Sequence, residues 1–299
     1  MTEQRSPQVL VAGYASIDQA LSASRHAVGG ETAILRGPVH PPTTHGGCAR
    51  NAAMVLTEMG IPVGLITWVG DDAEGTAYVA ELSAAGVDVT SVVRGASRSP
   101  RSLLVYDPRG TAACYFHPSE SSSQQLTAAL RAQLEVVEWL AITVGPASVT
   151  RALLGAVPDG VRLAWNVKGD ADAFPRDLVE RLLRADLVCL NEAELEFVAR
   201  QLADGTDPTP EALVSKGAGC VALTLGRRGY RIVTIEESFE APVEPVEVRD
   251  PTGAGDAFFA ALLAGRMRGM PPPEAGRQAA AGVVDLLRAR QAADLEAVR

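Results

Sequence analysis

The sequence predicts an α/β fold: a mainly parallel central sheet with helices on both faces, and a small β-sheet that acts as a lid. The first observation is a regular alternation of short apolar runs and helical patterns after residue 139, which is typical of a parallel sheet covered by helices. The second is that segments 15–45 and 95–118 lack this rhythm and contain short β-type runs instead. We therefore expect a single domain over residues 1–299, with both segments joined in the lid.

The first half opens with the apolar run QVLVAGY, which predicts a buried strand over 8–14. After the loops and short strands of 15–45, the patterns predict a helix from Gly47 to Gly60, a strand over 62–70 and a helix over 73–85. Two β-type runs within 101–117 flank Asp107-Pro108-Arg109-Gly110, a composition that favours a tight turn.

The second half supplies the alternation itself. Strands are expected at 139–145, 162–167, 186–191 and 220–226, with helices near 148–156, 176–184, 192–202 and 209–216. Two further strands at 229–236 and 242–248 and two helices at 254–268 and 273–290 complete the predicted fold.

Composition excludes several classes of function. The net charge is −9 and no basic block or basic-aromatic stripe stands out, so a nucleic-acid partner is not expected. The four cysteines are far apart and form no CxxC pair, which favours reduced thiols. No run approaches the ~18 apolar residues that cross a bilayer, and the first residues lack a secretion signal. We expect a soluble cytoplasmic protein with no membrane partner.

The stretch DPTGAGDAFFAALLAG at 250–265 places Asp256 between a loop and an apolar helix. The first turn of a helix favours an anion, and the small residues Gly253, Ala254 and Gly255 let the backbone approach it closely. Asp256 alone would be an ordinary stabilising carboxylate at a helix start. The three small residues are better explained if their amides hold a transferring phosphoryl group while Asp256 takes the proton of an attacking hydroxyl.

Two separated blocks resemble the signatures of a known family. DPTGAGDAFFAALL is similar to the C-terminal signature of the PfkB, or ribokinase-like, family of carbohydrate and nucleoside kinases, and GGCARNAAMVLTEMG at 46–60 resembles its N-terminal signature. The resemblance implies a ribokinase-like fold and a kinase that uses ATP and Mg²⁺ to phosphorylate a hydroxyl of a sugar or sugar-like substrate. A nucleoside kinase of the adenosine or pseudouridine type is the alternative, and a non-catalytic sensor on the same fold is a third interpretation.

On the acceptor side, the resemblance implies that Asp18 and Asn51 bind substrate hydroxyls and that Gly46 and Gly47 present their backbone to the substrate. Each position also has an ordinary structural explanation. Asp18 would be a polar residue that ends a strand, the glycines a turn before a helix, and Asn51 an exposed helical residue.

On the nucleotide side, NEAE resembles the N-x-x-E motif of the family, which implies that Asn191 lies near the phosphates and Glu194 near Mg²⁺, directly or through water. TLGRRG resembles the strand and turn beside ATP, with Thr224, Gly226 and Gly229 as nucleotide-binding residues. Capping of a helix by Asn191 and ordinary hairpin geometry for the glycines are the alternatives.

Some positions depart from the family pattern. Cys48 stands where ribokinases often carry Lys, Arg50 precedes Asn51 as in some nucleoside-type members, and Ser16 replaces an Asn typical of ribokinases. After the last helical pattern, LLRARQAADL lacks the Gly-Ala pair common near the monovalent-cation region. We therefore do not expect activity to depend on a monovalent cation.

These departures from the family pattern leave the identity of the substrate undetermined. Arg50, Arg98 and Arg101 are candidates to bind an anionic substituent, and each is as well explained as a surface residue. Aromatic side chains of the lid could stack on a nucleobase or cover a core or dimer face; they are Tyr106, Tyr115, Phe116 and His117. Because a small isolated sheet leaves one apolar face to cover, we expect a homodimer.

Two rival enzyme classes lack their motifs. A dehydrogenase of this size needs G-x-G-x-x-G directly after a strand, whereas VAGYASID at 11–18 has a single glycine. The G-x-x-x-x-G-K-[ST] pattern of P-loop enzymes does not occur.

Overall fold

A computed structural model of the chain describes residues 6–38, 43–95, 98–110, 112–119, 125–205, 207–246 and 251–297. The strands in these residues are β1 (Val9–Ala12), β2 (Ser16–Ala23), β3 (Leu35–Pro38), β4 (Thr44–Gly46), β5 (Val63–Gly70), β6 (Val92–Gly95), β7 (Arg101–Tyr106), β8 (Ala112–His117), β9 (Trp139–Ile142), β10 (Arg162–Asn166), β11 (Leu187–Asn191), β12 (Cys220–Thr224), β13 (Tyr230–Thr234) and β14 (Ser238–Ala241). The helices are α1 (Cys48–Glu58), α2 (Ala73–Ala85), α3 (Ala128–Leu134), α4 (Ala147–Ala156), α5 (Arg176–Leu182), α6 (Glu192–Leu202), α7 (Pro210–Ser215), α8 (Ala254–Met267) and α9 (Pro272–Ala297).

Nine strands form one sheet in the order β14-β13-β12-β11-β10-β9-β1-β5-β6. All neighbours from β12 to β6 are parallel, which confirms the predicted character of the sheet. β13 and β14 are antiparallel to their neighbours, because the short connections before and after β13 can only reverse the chain, whereas a parallel neighbour needs a long crossover.

The central strands are buried on both faces, since successive side chains of a strand point to opposite sides. Val9 and Val11 pack in one apolar cluster with residues of α1, α2, α8 and α9. Leu10 and Ala12 pack in a second cluster with residues of α3 to α7. Helices therefore cover both faces, as the alternating pattern predicts. In the described residues, no helix combines the length and the apolar character that a bilayer crossing requires.

A second, smaller sheet has the order β3-β2-β7-β8, with β4 paired to the first part of β2. Its strands come from the two segments predicted for the lid. β2 and β7 are parallel and bring Asp18 opposite Ser102, whereas β2 and β4 are antiparallel and bring Asp18 opposite Thr44. The predicted turn between β7 and β8 is present, with the Gly110 amide donating to the Asp107 carbonyl at 2.9 Å.

The structure corrects one predicted strand and adds two elements. Residues 242–246 are not in a strand, and 247–250 lie outside the described residues; the last strand, β14, ends at Ala241. Pro242 and Pro245 explain the shift, because proline has no amide hydrogen for a strand ladder. Strand β6 and helix α3 lie in segments of weak periodicity and were not predicted.

Candidate active site

Asp256 is a buried acid in the first turn of α8, with 4% of its surface exposed. Helix α8 begins after Gly253, whose φ of 80° is a left-handed conformation that glycine adopts without strain. The Asn51 amide Nδ2 donates to Asp256 Oδ2 at 3.0 Å, and the Asn166 amide Nδ2 donates to Oδ1 at 2.9 Å. Both carboxylate oxygens are therefore held by side-chain amides, which fixes the rotamer of Asp256.

These three residues come from distant parts of the chain. Asn51 lies in α1, Asp256 opens α8, and Asn166 is the last residue of β10, near the middle of the large sheet. Sequence analysis predicted the first two and missed Asn166. A signal was present, because Asn166 is a polar residue at the carboxyl end of a buried strand, where ligands bind in parallel sheets.

Lys168 is a second residue that sequence analysis missed. Its Nζ lies 3.5 Å from Glu194 Oε1, two residues beyond the end of β10. Burial opposes the charge of this ammonium, but the nearby Asp256 and Glu194 carboxylates raise its pKa above the ordinary value. Lys168 is therefore a cation at neutral pH, close to the Asp256 carboxylate.

Asn191 and Glu194 form a reciprocal cap at the start of α6. Asn191 Oδ1 accepts from the Glu194 amide and Glu194 Oε2 accepts from the Asn191 amide, each at 2.9 Å. The structural alternative for Asn191, helix capping, is thus present. Burial raises the pKa of Glu194 although Lys168 acts in the opposite direction. The predicted contacts of Asn191 and Glu194 with phosphates and metal stay predictions.

Cys48 lies beside Asp256 at the first position of α1. Burial of its thiol and the nearby Asp256 carboxylate raise the pKa of Cys48 well above the ordinary value. The thiol is therefore protonated at neutral pH. The start of α1 thus carries a neutral thiol, and Lys168, two residues beyond the end of β10, is a nearby cation.

The glycine pair before α1 allows close backbone approach. A Cβ atom on Gly46 would lie 1.9 Å from Asp18 Oδ2, and one on Gly47 would lie 2.3 Å from the Tyr14 carbonyl oxygen. Gly47 also has a φ of 103°, which disfavours any other residue. The structure thus brings Asp18 and Gly46 into contact, and Gly47 leads directly into the helix of Asn51.

Hydroxyl side chains lie beside Asp18, and an aromatic pair joins β8 to the end of β1. The Ser16 hydroxyl bonds both Asp18 and Ser102, the latter at 2.7 Å across the small sheet. The rings of Tyr14 and Phe116 lie 4.9 Å apart, so strand β8 touches the segment that follows β1. Hydroxyl and carboxylate groups therefore lie together on the first part of β2, and the Tyr14–Phe116 ring pair lies at the end of β1.

A cavity of about 330 Å³ opens on the other side of α8. Five predicted residues line it: Thr224, Gly226, Gly229, Ala254 and Gly255. Apolar side chains form much of the remaining wall, among them Val243, Val246, Phe258, Val283 and Leu287. The volume falls within the ~300–1,000 Å³ of typical small-molecule sites. Asn191 and Glu194 do not line this cavity.

The loop before α8 is held from two directions. Arg290 Nη1 of α9 donates to the Thr252 carbonyl oxygen at 2.6 Å, and the Tyr106 hydroxyl of β7 lies 3.2 Å from Thr252 Oγ1. The small sheet and the last helix therefore both contact the loop that carries Gly253. A Cβ atom on Gly255 would meet no atom within 4 Å, so this face of the helix start is open.

The chain matches the model of the "pfkB family carbohydrate kinase" over residues 6–289. A nucleoside kinase of Methanothermobacter thermautotrophicus is 27% identical over 247 residues, which are 79% of this chain and 76% of that protein. A fructoselysine 6-kinase of Escherichia coli K12 is 30% identical over 244 residues, 79% of this chain and 87% of that protein. The structure of an Arabidopsis thaliana ribokinase complexed with ribose and ATP superposes with a TM-score of 0.76 at 22% identity, covering 93% of this chain and 92% of that one.

Proposed function

The chain belongs to the pfkB family of carbohydrate kinases, which phosphorylate hydroxyl groups, and we propose that it transfers the γ-phosphate of ATP to a sugar or sugar-like substrate with Asp256 as general base. The observation that carries this proposal is the position of Asp256. Its carboxylate is held by Asn51, which follows the Gly46-Gly47 loop beside Asp18. Its neighbours Ala254 and Gly255 line the 330 Å³ cavity on the other side.

The proposed chemistry uses both sides of the α8 start. The acceptor hydroxyl gives its proton to the Asp256 carboxylate as its oxygen forms a bond to the γ-phosphorus. The bond from that phosphorus to the β-γ bridging oxygen breaks, and ADP leaves with the electron pair. The amides of Gly253 and Gly255 face the transferring group, where helix-start donors stabilise its charge. The Ala254 amide donates to the Pro251 carbonyl at 3.1 Å and shapes the turn instead. The small size of these three residues allows the phosphoryl group to approach.

Lys168 is the proposed source of positive charge near the reacting atoms. Phosphoryl transfer depends mainly on positioning and on stabilisation of negative charge. Lys168 lies close to both Glu194 and Asp256, which keep it protonated. Since Cys48 is neutral, Lys168 supplies the charge from the end of β10.

Magnesium is proposed to arrive with the nucleotide. In the described residues, no group of three or more His, Cys, Asp or Glu side chains could hold a metal ion. The two Glu194 oxygens already contact Lys168 and the Asn191 amide. This fits an ion that keeps several waters and binds mainly through phosphates. Glu194 would help to hold such an ion, directly or through water. When bound, Mg²⁺ would neutralise phosphate charge.

The acceptor is proposed to be uncharged where it meets α1 and the small sheet. Arg50 is paired with Glu81 and Arg101 with Glu74, so two of the three candidate arginines have carboxylate partners. A sugar fits the hydroxyl and carboxylate groups around Asp18. A nucleoside is the second candidate, because the Tyr14–Phe116 ring pair beside the Gly46-Gly47 loop offers an aromatic surface for a base.

A cytoplasmic location is part of the same proposal. All four cysteines are free thiols, which suits a reducing compartment, and the cytoplasm supplies ATP.

The proposal is tested by an ADP-release assay on the purified protein with MgATP and a panel of sugars and nucleosides, followed by identification of the phosphorylated product. We expect turnover with at least one neutral acceptor. The Asp256→Asn variant should retain only a small residual activity with that acceptor. Absence of phosphorylated product across the panel, with ATP hydrolysed or not, would favour the sensor interpretation.

Asp18→Ala tests the acceptor side separately. Asp18 is half-buried. Loss of such a group, once it bonds substrate hydroxyls, costs on the order of 1–3 kcal/mol, so the KM for the acceptor should rise about 5- to 150-fold. The KM for ATP should change little, because Asp18 is not among the residues that line the cavity. Equal increases in both constants would contradict the proposed role of Asp18.

A further inference from the structure

Glu81 connects three elements around the proposed acceptor site. It lies on α2, and its two carboxylate oxygens take different partners: Oε1 accepts from Arg50 Nη2, and Oε2 contacts His45 Nδ1. Arg50 belongs to α1. His45 belongs to β4 and is paired with Ile17, next to Asp18. One side chain of α2 thus holds the start of α1 and the strand beside Asp18.

The position of Arg50 is unfavourable without this partner. Arg50 lies in the first turn of α1, which contains no acidic residue. The positive end of the helix dipole disfavours a cation there. Its side chain is only 17% exposed, so water compensates little of the charge. A sequence that breaks a local rule in this way often does so for function.

Arg50 also contacts the residue that holds Asp256. Arg50 Nη1 donates to Asn51 Oδ1 at 3.4 Å. A guanidinium can only donate hydrogen bonds, so this contact turns the amide oxygen of Asn51 toward Arg50. The NH2 group of Asn51 then faces Asp256, to which it donates at 3.0 Å. The reverse orientation would bring the amide oxygen against the carboxylate, where two acceptors repel.

We propose that Glu81 is a positioning residue for phosphoryl transfer: by holding Arg50, it keeps the amide of Asn51 oriented so that Asn51 donates to Asp256. This inference rests on the proposed function of Asp256 as general base. Glu81 touches neither substrate nor Asp256 and acts through two intervening side chains. Its contact with His45 keeps strand β4, and with it Gly46, in place beside Asp18.

Glu81→Gln is the first test, because it keeps the size of the side chain and removes its charge. We expect kcat to fall about 10- to 100-fold, since a misplacement of about 1 Å caused away from the chemistry can cost that much. The KM for ATP should change less than about twofold, because the cavity side is untouched. Arg50→Met is the second variant and should lower kcat by a similar factor, because it removes the same link to Asn51. It keeps the proposal testable if Glu81→Gln folds poorly.

Glu74→Gln is the matched control. It is the same substitution on the same helix, and Glu74 also pairs with an arginine, Arg101. That arginine does not contact Asn51 in the described structure. We expect Glu74→Gln to keep the kcat of the parent. An equal loss of kcat in both glutamine variants would overturn the proposal, because it would indicate a general effect of charge on α2.

A double-mutant cycle with Asn51→Ala separates positioning from a merely structural role. If Glu81 acts through Asn51, Glu81→Gln should lower kcat little further once Asn51 is alanine. Additive losses would overturn the proposal.

A readout that needs no acceptor completes the test. The side-chain NH2 resonances of Asn51, identified by their loss in Asn51→Ala, should shift in Glu81→Gln and in Arg50→Met but not in Glu74→Gln. Unchanged resonances in Glu81→Gln would overturn the role of Glu81. Should the parent phosphorylate no acceptor, the proposed function fails, and this measurement still decides whether Glu81 orients Asn51.

Discussion

Asp256 accepts hydrogen bonds from two amide NH2 groups, those of Asn51 and Asn166. In Asp256→Asn, the NH2 group of the new side chain must face the NH2 group of Asn51 or Asn166. Two donors then oppose each other in a buried site, and neither finds an acceptor there. We expect the free energy of unfolding to fall by about 1–3 kcal/mol and kcat to fall by ~10²–10⁴, the typical loss for a positioned base. Urea unfolding and steady-state kinetics measure the two effects.

ATP binding should survive the same substitution, because Asp256 is not among the cavity-lining residues. An Asp256→Asn enzyme that keeps most of its kcat with the identified substrate would contradict the base mechanism. A loss of ATP affinity as large as the loss of kcat would place Asp256 on the nucleotide side instead.

A side chain at Gly255 should affect ATP binding and protein stability in opposite directions. Gly255 lies in the first turn of α8, and a Cβ atom there would meet no protein atom within 4 Å. Gly255→Ala should therefore raise the free energy of unfolding by roughly 0.5–1 kcal/mol, since alanine favours a helix over glycine, while raising the KM for ATP. Thermal unfolding and ATP titration measure these opposite changes.

Gly229→Ala is the contrasting variant. Gly229 has a φ of 110°, and a Cβ atom there would lie 2.0 Å from the Ala241 carbonyl oxygen. It should lower the melting temperature, because the β13–β14 hairpin must move. If Gly255→Ala also lowers the melting temperature, the added methyl group must meet other atoms. The face at the start of α8 would then not be open.

Helix α2, which carries Glu81, begins with a cap that also anchors the small sheet. Asp72 accepts from the Gly75 amide at 2.7 Å, from the Ser99 amide at 2.8 Å and from the Ser99 hydroxyl at 2.7 Å. Ser99 lies just before β7. We expect Asp72→Ala to lower the free energy of unfolding by at least the ~0.5–2 kcal/mol of a lost helix cap, measured by urea unfolding.

The effect of Asp72 should depend on pH in a defined direction. Burial acts to raise the pKa of Asp72, but the hydrogen bonds from Ser99 and Gly75 prevail and lower it below the ordinary 3.8. A carboxylate whose folded pKa is depressed stabilises the protein above its unfolded pKa and loses that contribution as the pH falls through the folded pKa. The difference between parent and Asp72→Ala should thus be constant from roughly pH 8 to 5 and shrink below about 4. A difference that grows on acidification would contradict this assignment.

Elements with a strong local pattern could be predicted from sequence, and those defined by pairing could not. Helix α6 is predicted to the residue at 192–202, because Asn191 and Glu194 supply a capping box and the apolar spacing is helical. β6 is half-exposed at the edge of the sheet, so its sequence carries no apolar run. The position of Asn166 at the end of a buried strand could be predicted, but its contact with Asp256 and the place of Lys168 could not. Only the folded sheet brings the end of β10 beside α1 and α8.

The small sheet leaves apolar side chains in solvent that a second copy of the chain would cover. Leu35 of β3 is 51% exposed and Tyr115 of β8 is 63% exposed. We expect a homodimer through this sheet, detected by size exclusion with light scattering. Leu35→Glu with Tyr115→Glu should shift the protein to the monomer, because a charge on each strand opposes burial.

Ile235→Glu is the matched control for the dimer. Ile235 is 83% exposed in the β13–β14 turn, at the β14 edge of the large sheet and outside the small sheet. It should leave the dimer intact. A parent protein that is strictly monomeric at working concentration would remove the expectation of a dimer and leave the proposed chemistry untouched.

The order of strands in the large sheet has a consequence for how the chain is made. β1 leaves the ribosome before the other described strands of this sheet, and it ends up between β5 and β9. Val9 can pair with Val63 early, but its other neighbour, Trp139, is synthesised much later. Until then β1 presents an apolar edge with unpaired backbone groups, a template for aggregation. A half-synthesised chain therefore exposes this edge of β1, and it gains Asp256, together with the whole α8 start, only after the strands of the sheet have been translated.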